Sequence, residues 1–95
     1  MAAHDDEILR ALSHAERRRL LVLCRDTPRS AGELAADSHM TGASVSEHLK
    51  VLRKTGLARV DKQGKFWFYR TNTEFLKQVL ASLEAELMEI PEDAP

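Results

Sequence analysis

In the stretch Thr41–Leu57, TGASVSEHLKVLRKTGL, short polar residues head an apolar stripe that closes on Thr55-Gly56, and the fold follows from it. Val45, Leu49 and Leu52 recur at i, i+4 and i+7, the spacing that gathers side chains on one face of a helix. Ser44, Ser46, Glu47, Lys50, Arg53 and Lys54 fall outside that face. Thr41 is expected to cap the helix through its hydroxyl, and Gly56 to end it in the left-handed conformation. Small side chains on a leading turn let a helix enter a major groove, and free N–H groups there suit a phosphate.

Upstream, Ser30-Ala31-Gly32-Glu33 has the form of a capping box opening a short helix whose Leu34 and Ala35 face inward. Only DSHMTG separates that helix from the stretch above, so the two must cross steeply through a tight turn, which is helix-turn-helix spacing. Earlier still, Ile8, Leu9 and Leu12 mark a first helix ending near Ser13. Ser13-His14-Ala15-Glu16 repeats the capping-box pattern for a second helix, which runs through Leu20, Leu23 and Cys24 to about Arg25 before Asp26-Thr27-Pro28 breaks it.

Downstream, LARVDKQGKFWFYRTN exchanges helical period for β-rich residues, with Gln63-Gly64 between two extended runs, a hairpin signal. Lys62, Gln63, Gly64 and Lys65 form its tip, over a sheet expected to be anchored by Val60, Trp67 and Tyr69. The run Phe66-Trp67-Phe68-Tyr69 would also serve as a base-stacking platform, but two short strands on helices need large side chains for their own core. After Asn72-Thr73-Glu74, the residues Leu76, Leu80, Leu83, Leu87 and Ile90 alternate at spacings of four and three, a coiled-coil-like seam. Such a stripe either folds back on its own domain or pairs with a second copy, and pairing is the expectation, because water would otherwise meet a sizeable apolar patch. The tail PEDAP is expected to fray.

Charge is segregated along the chain. Thr41–Arg70 carries seven basic residues (Lys50, Arg53, Lys54, Arg59, Lys62, Lys65, Arg70) against Glu47 and Asp61, a net +5, although the whole chain stands at −1. Thr71–Pro95 sets Lys77 against six acidic residues, a net −5. With 95 residues, 43% of them hydrophobic and 31% charged, one globular domain is expected over 1–95 and a deep enzyme cleft is not. Its parts are a helix-turn-helix at about 30–56, a wing at 57–71 and a dimerisation helix at 73–90. No apolar run approaches the roughly 20 residues of a bilayer span, and the opening MAAHDDEILR lacks the apolar segment of a secretory leader. A single cysteine excludes an internal disulfide, so a reducing cytoplasm is expected.

Mainly α with a small β-hairpin wing, in the order α-α-α-α-β-β-α and dimerising through its terminal helices, the predicted architecture is a winged helix-turn-helix. The sequence resembles the ArsR/SmtB family of small dimeric bacterial repressors. Four segments carry the resemblance in order: ALSHAERRRLLVLC, SAGELA, SVSEHLKVLRKTGL and GKFWFYR. It implies a DNA-binding transcriptional regulator, usually a repressor, acting as a homodimer on double-stranded DNA, with an unidentified effector adjusting affinity. Carried over position by position, Thr41, Gly42, Ala43, Ser44, Ser46, Glu47, His48 and Lys50 face DNA, and Lys62 and Lys65 are wing contacts. For His48 a local packing role stands as the alternative. Ile8, Leu9, Leu76, Leu80, Leu83 and Leu87 form the implied dimer interface. Gly42 stands where the family often has glutamine and Glu47 where it often has arginine or glutamine, departures that lower the expected affinity.

No metal or other cofactor is expected. The family's cysteine-pair box would fall at GELAADS, which has no cysteine, and His4, His14, His39 and His48 lie on different elements; a site joining His4 to acidic residues of the last helix is the remaining metal alternative. Cys24 is a redox candidate through its neighbour Arg25, but its place beside Leu20 suits a small core residue better. Other classes are a winged-helix module that binds protein instead of DNA, favoured by Gly42, Glu47 and the acidic last helix, and an enzyme. The enzyme lacks a phosphate loop, a nucleophile with a base at recognisable spacing, or paired carboxylates.

Overall fold

The computed structural model describes residues 5–89. Its elements are α1 (Asp5–Leu12), α2 (Ala15–Leu23), β1 (Arg29–Ser30), α3 (Ala31–Ser38), α4 (Gly42–Lys54), β2 (Ala58–Gln63), β3 (Phe66–Thr71) and α5 (Thr73–Met88). The strands form one antiparallel sheet in the order β1-β3-β2. His4, Ile90 and the PEDAP tail lie outside the described residues.

The element β1 adds to the expected order. It pairs Arg29 with Tyr69 and Ser30 with Phe68, and two residues are too few to show an alternating pattern. Ser30 then serves twice, closing the strand and capping α3. Its hydroxyl accepts from the Glu33 N–H at 3.2 Å while its own N–H donates to Glu33 Oε1 at 2.9 Å, the reciprocal box expected from the sequence. Hydrogen bonding with Ser30, its backbone N–H first and its side chain second, holds the Glu33 carboxyl below its usual range.

The Ser13 capping box does not form. The hydroxyl of Ser13 donates back to the Arg10 carbonyl at 2.6 Å, and the Arg18 guanidinium donates to the Leu12 carbonyl at 2.7 Å, so both groups close α1. The N-cap of α2 passes to His14, which makes no side-chain cap. Helix α2 also ends two residues before Arg25. Thr71 diverts its last carbonyls: the Thr71 hydroxyl donates to Leu21 O at 2.6 Å and its N–H to Cys24 O at 3.1 Å.

Ile8 and Ala11 of α1, Leu20, Leu21 and Cys24 of α2, Leu34 of α3, and Val45, Leu49 and Leu52 of α4 share one core with Leu57 and Ala58. Ile8, only 2% exposed, is therefore spent inside the chain and is corrected out of the expected dimer face. Gly56 takes φ +86°, and a Cβ there would sit 3.4 Å from the Phe75 ring, so this position ends α4 and admits α5 together. Asn72 joins the same corner, donating its N–H to Leu57 O and accepting the Phe75 N–H on its side chain.

Helix α5 rests on the core through Phe75, Leu76 and Val79 and then leaves it. No residue of α5 is buried; Leu80 is 51% and Leu87 is 70% exposed. The molecule is correspondingly long, 56 × 23 × 22 Å with a radius of gyration of 15.5 Å, against about 12 Å for a compact chain of this length. Among the described residues, no helix is long and apolar enough to cross a membrane.

Candidate nucleic-acid interface

Helix α4 follows α3 through a turn in which His39 adopts φ 61°, a left-handed conformation unusual outside glycine. The Thr41 hydroxyl accepts the Ser44 N–H at 3.1 Å and caps α4 as expected. Val45, Leu49 and Leu52 are buried, and that anchorage fixes which side chains face outward. Thr41, Gly42, Ala43, Ser46, Glu47 and Lys50 are exposed, and Ser44 is half-buried. A Cβ added at Gly42 would meet nothing within 4 Å, so the leading turn is open.

His48 departs from the family-based expectation. Its side chain is 15% exposed and turned toward α2, where Nδ1 accepts the Arg17 Nε–H at 3.2 Å. A guanidinium can only donate, so the ring carries its proton on Nε2, which lies 3.8 Å from Glu16 Oε1. The ring is thus committed to holding α4 on α2, and its assignment as a base-reading residue is corrected to the local packing role. The contact joins residues 31 apart in sequence, so local spacing carries no signal for it.

The wing is a hairpin with Gln63 paired to Phe66 and Gly64-Lys65 as its two-residue turn, Gly64 at φ +63°. Lys62 and Lys65 are exposed near the tip. Trp67 does not anchor the sheet as expected. It is 39% exposed, lies opposite Lys62 in the register, and holds Lys62 Nζ 4.2 Å and Arg53 Cζ 5.2 Å from its ring centroid. Phe66 is also exposed, with Lys65 Nζ 5.7 Å from its ring, whereas Tyr69 packs against the core. The turn is Gly64-Lys65, one residue later than the Gln63-Gly64 read from the sequence, and that shift sets Lys62 opposite Trp67; the approach of Arg53 required the packing of wing on helix.

Cys24 is buried, and burial pushes its thiol up, more than its hydrogen bond with Thr71 at 3.5 Å draws it down. That is the opposite of an activated thiolate and places Cys24 with the core residues. Among the described residues, no group of three or more His, Cys, Asp or Glu side chains is arranged to hold a metal ion.

The geometry is that of a helix-turn-helix with its second helix and wing presented together, and known proteins share it. The family model described as bacterial regulatory protein, arsR family, matches residues 14–60. The transcriptional repressor SdpR of Bacillus subtilis is 28% identical over 72 residues, spanning 76% of this chain and 80% of SdpR. Among solved structures, an ArsR-like transcriptional regulator from Rhodococcus superposes with a TM-score of 0.80 at 26% identity, over 88% of this chain and 79% of that one. The homodimeric winged helix-turn-helix DNA-binding domain of Mb0332 from Mycobacterium bovis shares the fold at 19% identity, TM-score 0.72, over 96% and 88%. With the fold, the turn and the wing in the family's order, this chain belongs to the arsR family of bacterial regulatory proteins and is a winged helix-turn-helix DNA-binding transcriptional regulator, not an enzyme.

Proposed function

We propose that the protein is a cytoplasmic homodimeric repressor that binds an inverted-repeat operator, with α4 in the major groove and the wing on the flanking backbone. The observation that carries this reading is the pairing of an open, small-residue leading turn on α4 with exposed Lys50, Lys62 and Lys65, in a segment, 41–70, that is net +5. Thr41, Gly42, Ala43, Ser44 and Ser46 approach base edges, Glu47 accepts from a cytosine amino group, and the lysines take phosphates.

Dimerisation is argued from α5. Leu76, Leu80, Leu83 and Leu87 repeat at four and three, and the helix contributes no buried residue to its own chain. Beside it Leu12, Leu21, Val22, Leu76 and Leu80 line an open apolar groove of about 360 Å³. A second α5 fits that need, as the homodimeric Mycobacterium bovis domain supports; the repressor SdpR supports the sign of regulation. Two recognition helices related by a two-fold axis read matching half-sites about one helical turn apart.

The test is selection of bound duplexes from a random-sequence pool, followed by transcription in vitro from a promoter carrying the selected site. An enriched inverted repeat whose occupancy lowers transcription is expected. A single unpaired site, or no enrichment together with a stable complex with another protein, would replace this reading with a monomeric binder or a protein-interaction module.

A further inference from the structure

At the junction of α4 and the wing, Arg53 and Trp67 are not accounted for by base reading or by the lysine contacts of the wing. Arg53, from the last turn of α4, and Lys62, from β2, approach one indole, that of Trp67 on β3, at 5.2 and 4.2 Å from its centroid. Both distances lie within the roughly 6 Å over which a cation is attracted to the negative face of an aromatic ring. Both cations are exposed, so the ring spends part of its own apolar surface in water to keep them. Among the described residues the ion pairs are Arg25–Asp26, Arg29–Asp37 and Glu16–His48, and none involves Arg53 or Lys62. Two like charges are gathered on a ring with no carboxylate between them.

The position selects the anion. Ser46, Lys50 and Arg53 stand at i, i+4 and i+7 of α4, a continuous exposed stripe next to the buried Val45, Leu49 and Leu52. From Ser46 to Arg53 the helix rises about 10 Å, close to the roughly 12 Å width of a major groove. If Ser46 reaches base edges, Arg53 arrives at the phosphate wall, and Lys62 approaches the same Trp67 ring from the wing.

We propose that Arg53 and Lys62 each contact a backbone phosphate of duplex DNA, with Trp67 as the positioning residue that holds both cations in place. The assignment rests on the DNA-binding reading above, in which Lys62 already contacts phosphate, and adds Arg53 and Trp67 to it. Because a phosphate contact is independent of sequence, any duplex at low salt serves as the probe. Trp67 is the sole tryptophan of the chain, which makes its emission a local reporter.

Anisotropy of a labelled duplex over a salt series, read alongside Trp67 emission and its quenching by iodide, tests these contacts. The duplex is expected to change the emission and protect it from iodide. Arg53→Ala and Lys62→Ala are each expected to flatten the slope of log affinity against log salt by about 0.9, the release of one counterion set. Trp67→Leu is expected to weaken binding about 2- to 5-fold, the worth of an exposed cation–π contact, and Trp67→Phe to restore most of it because the ring face remains. Wild-type binding with both alanine slopes unchanged would overturn these contacts and leave the DNA-binding reading standing. Absence of wild-type binding to any duplex would overturn both. Inorganic phosphate at matched ionic strength is expected to leave the emission unchanged; a response to it without one to duplex would reassign the cations to a free anion and overturn the proposal.

Discussion

His48 shows how one residue can satisfy a family pattern and still have a different task. Within SVSEHLK it falls beside exposed Glu47, but i, i+3, i+4 geometry also places it one residue before Leu49, on the flank of the buried stripe. The flank won because Arg17 offers a donor at 3.2 Å and Glu16 a carboxylate at 3.8 Å. His48→Ala is therefore expected to weaken binding to all duplexes alike, through a less firmly seated α4, and Arg17→Ala to add little on top of it. Anisotropy on matched and mismatched sites, in the single and double variants, checks both; a change confined to certain bases would return His48 to the groove. Thr41 was legible because one hydroxyl and one N–H three residues on suffice to define a cap, whereas the inward turn of His48 depends on a helix 31 residues away.

At the scale of elements, local chemistry carried most of the reading and its failures have local causes. The Ser30–Glu33 box formed as expected, but the same four-residue form at Ser13 did not, since a two-residue connection leaves Ser13 within reach of the Arg10 carbonyl. Ser30→Ala is expected to cost about 1 kcal/mol in urea unfolding at pH 7. Glu33 has a folded pKa below its unfolded one, so its contribution is full above about 4.5 and is lost as pH falls through the folded value. Glu33→Gln should accordingly destabilise near neutrality and approach the wild type in acid; an equal deficit at pH 7 and pH 3 would show that the carboxylate is not what matters. β1 escaped the reading because two residues carry no period, and Trp67 because alternation marks a face without saying what covers it. Helix α5 was legible as a helix with an apolar stripe through its spacing. Leu83→Glu, half-buried in that seam, is expected to shift sedimentation toward a monomer and to weaken operator binding more than binding of a single half-site; an unchanged sedimentation coefficient would remove α5 from the interface.

On the scale of the whole molecule, a net charge of −1 conceals a basic middle and an acidic end. The fold sets the two apart: α4 and the wing present Lys50, Arg53, Lys62 and Lys65, and α5 carries Glu74, Glu84 and Glu86 along an apolar stripe. This polarity was readable by counting along the chain, and so was the core place of Cys24 beside Leu20, while the burial of Ile8 was not, because it depends on how α1 and α2 close over α4. That the α4 and wing cations bind duplex DNA is tested first by the salt dependence of duplex affinity, measured by anisotropy for the wild type and for the Lys50→Glu, Lys65→Glu double variant. A linear fall of log affinity with log salt is expected in the wild type, and a slope shallower by about 1.8 in the variant, two phosphate contacts at about 0.9 each. Affinity that does not respond to salt, or a slope that the two reversals leave unchanged, would show that these cations do not bind the DNA backbone.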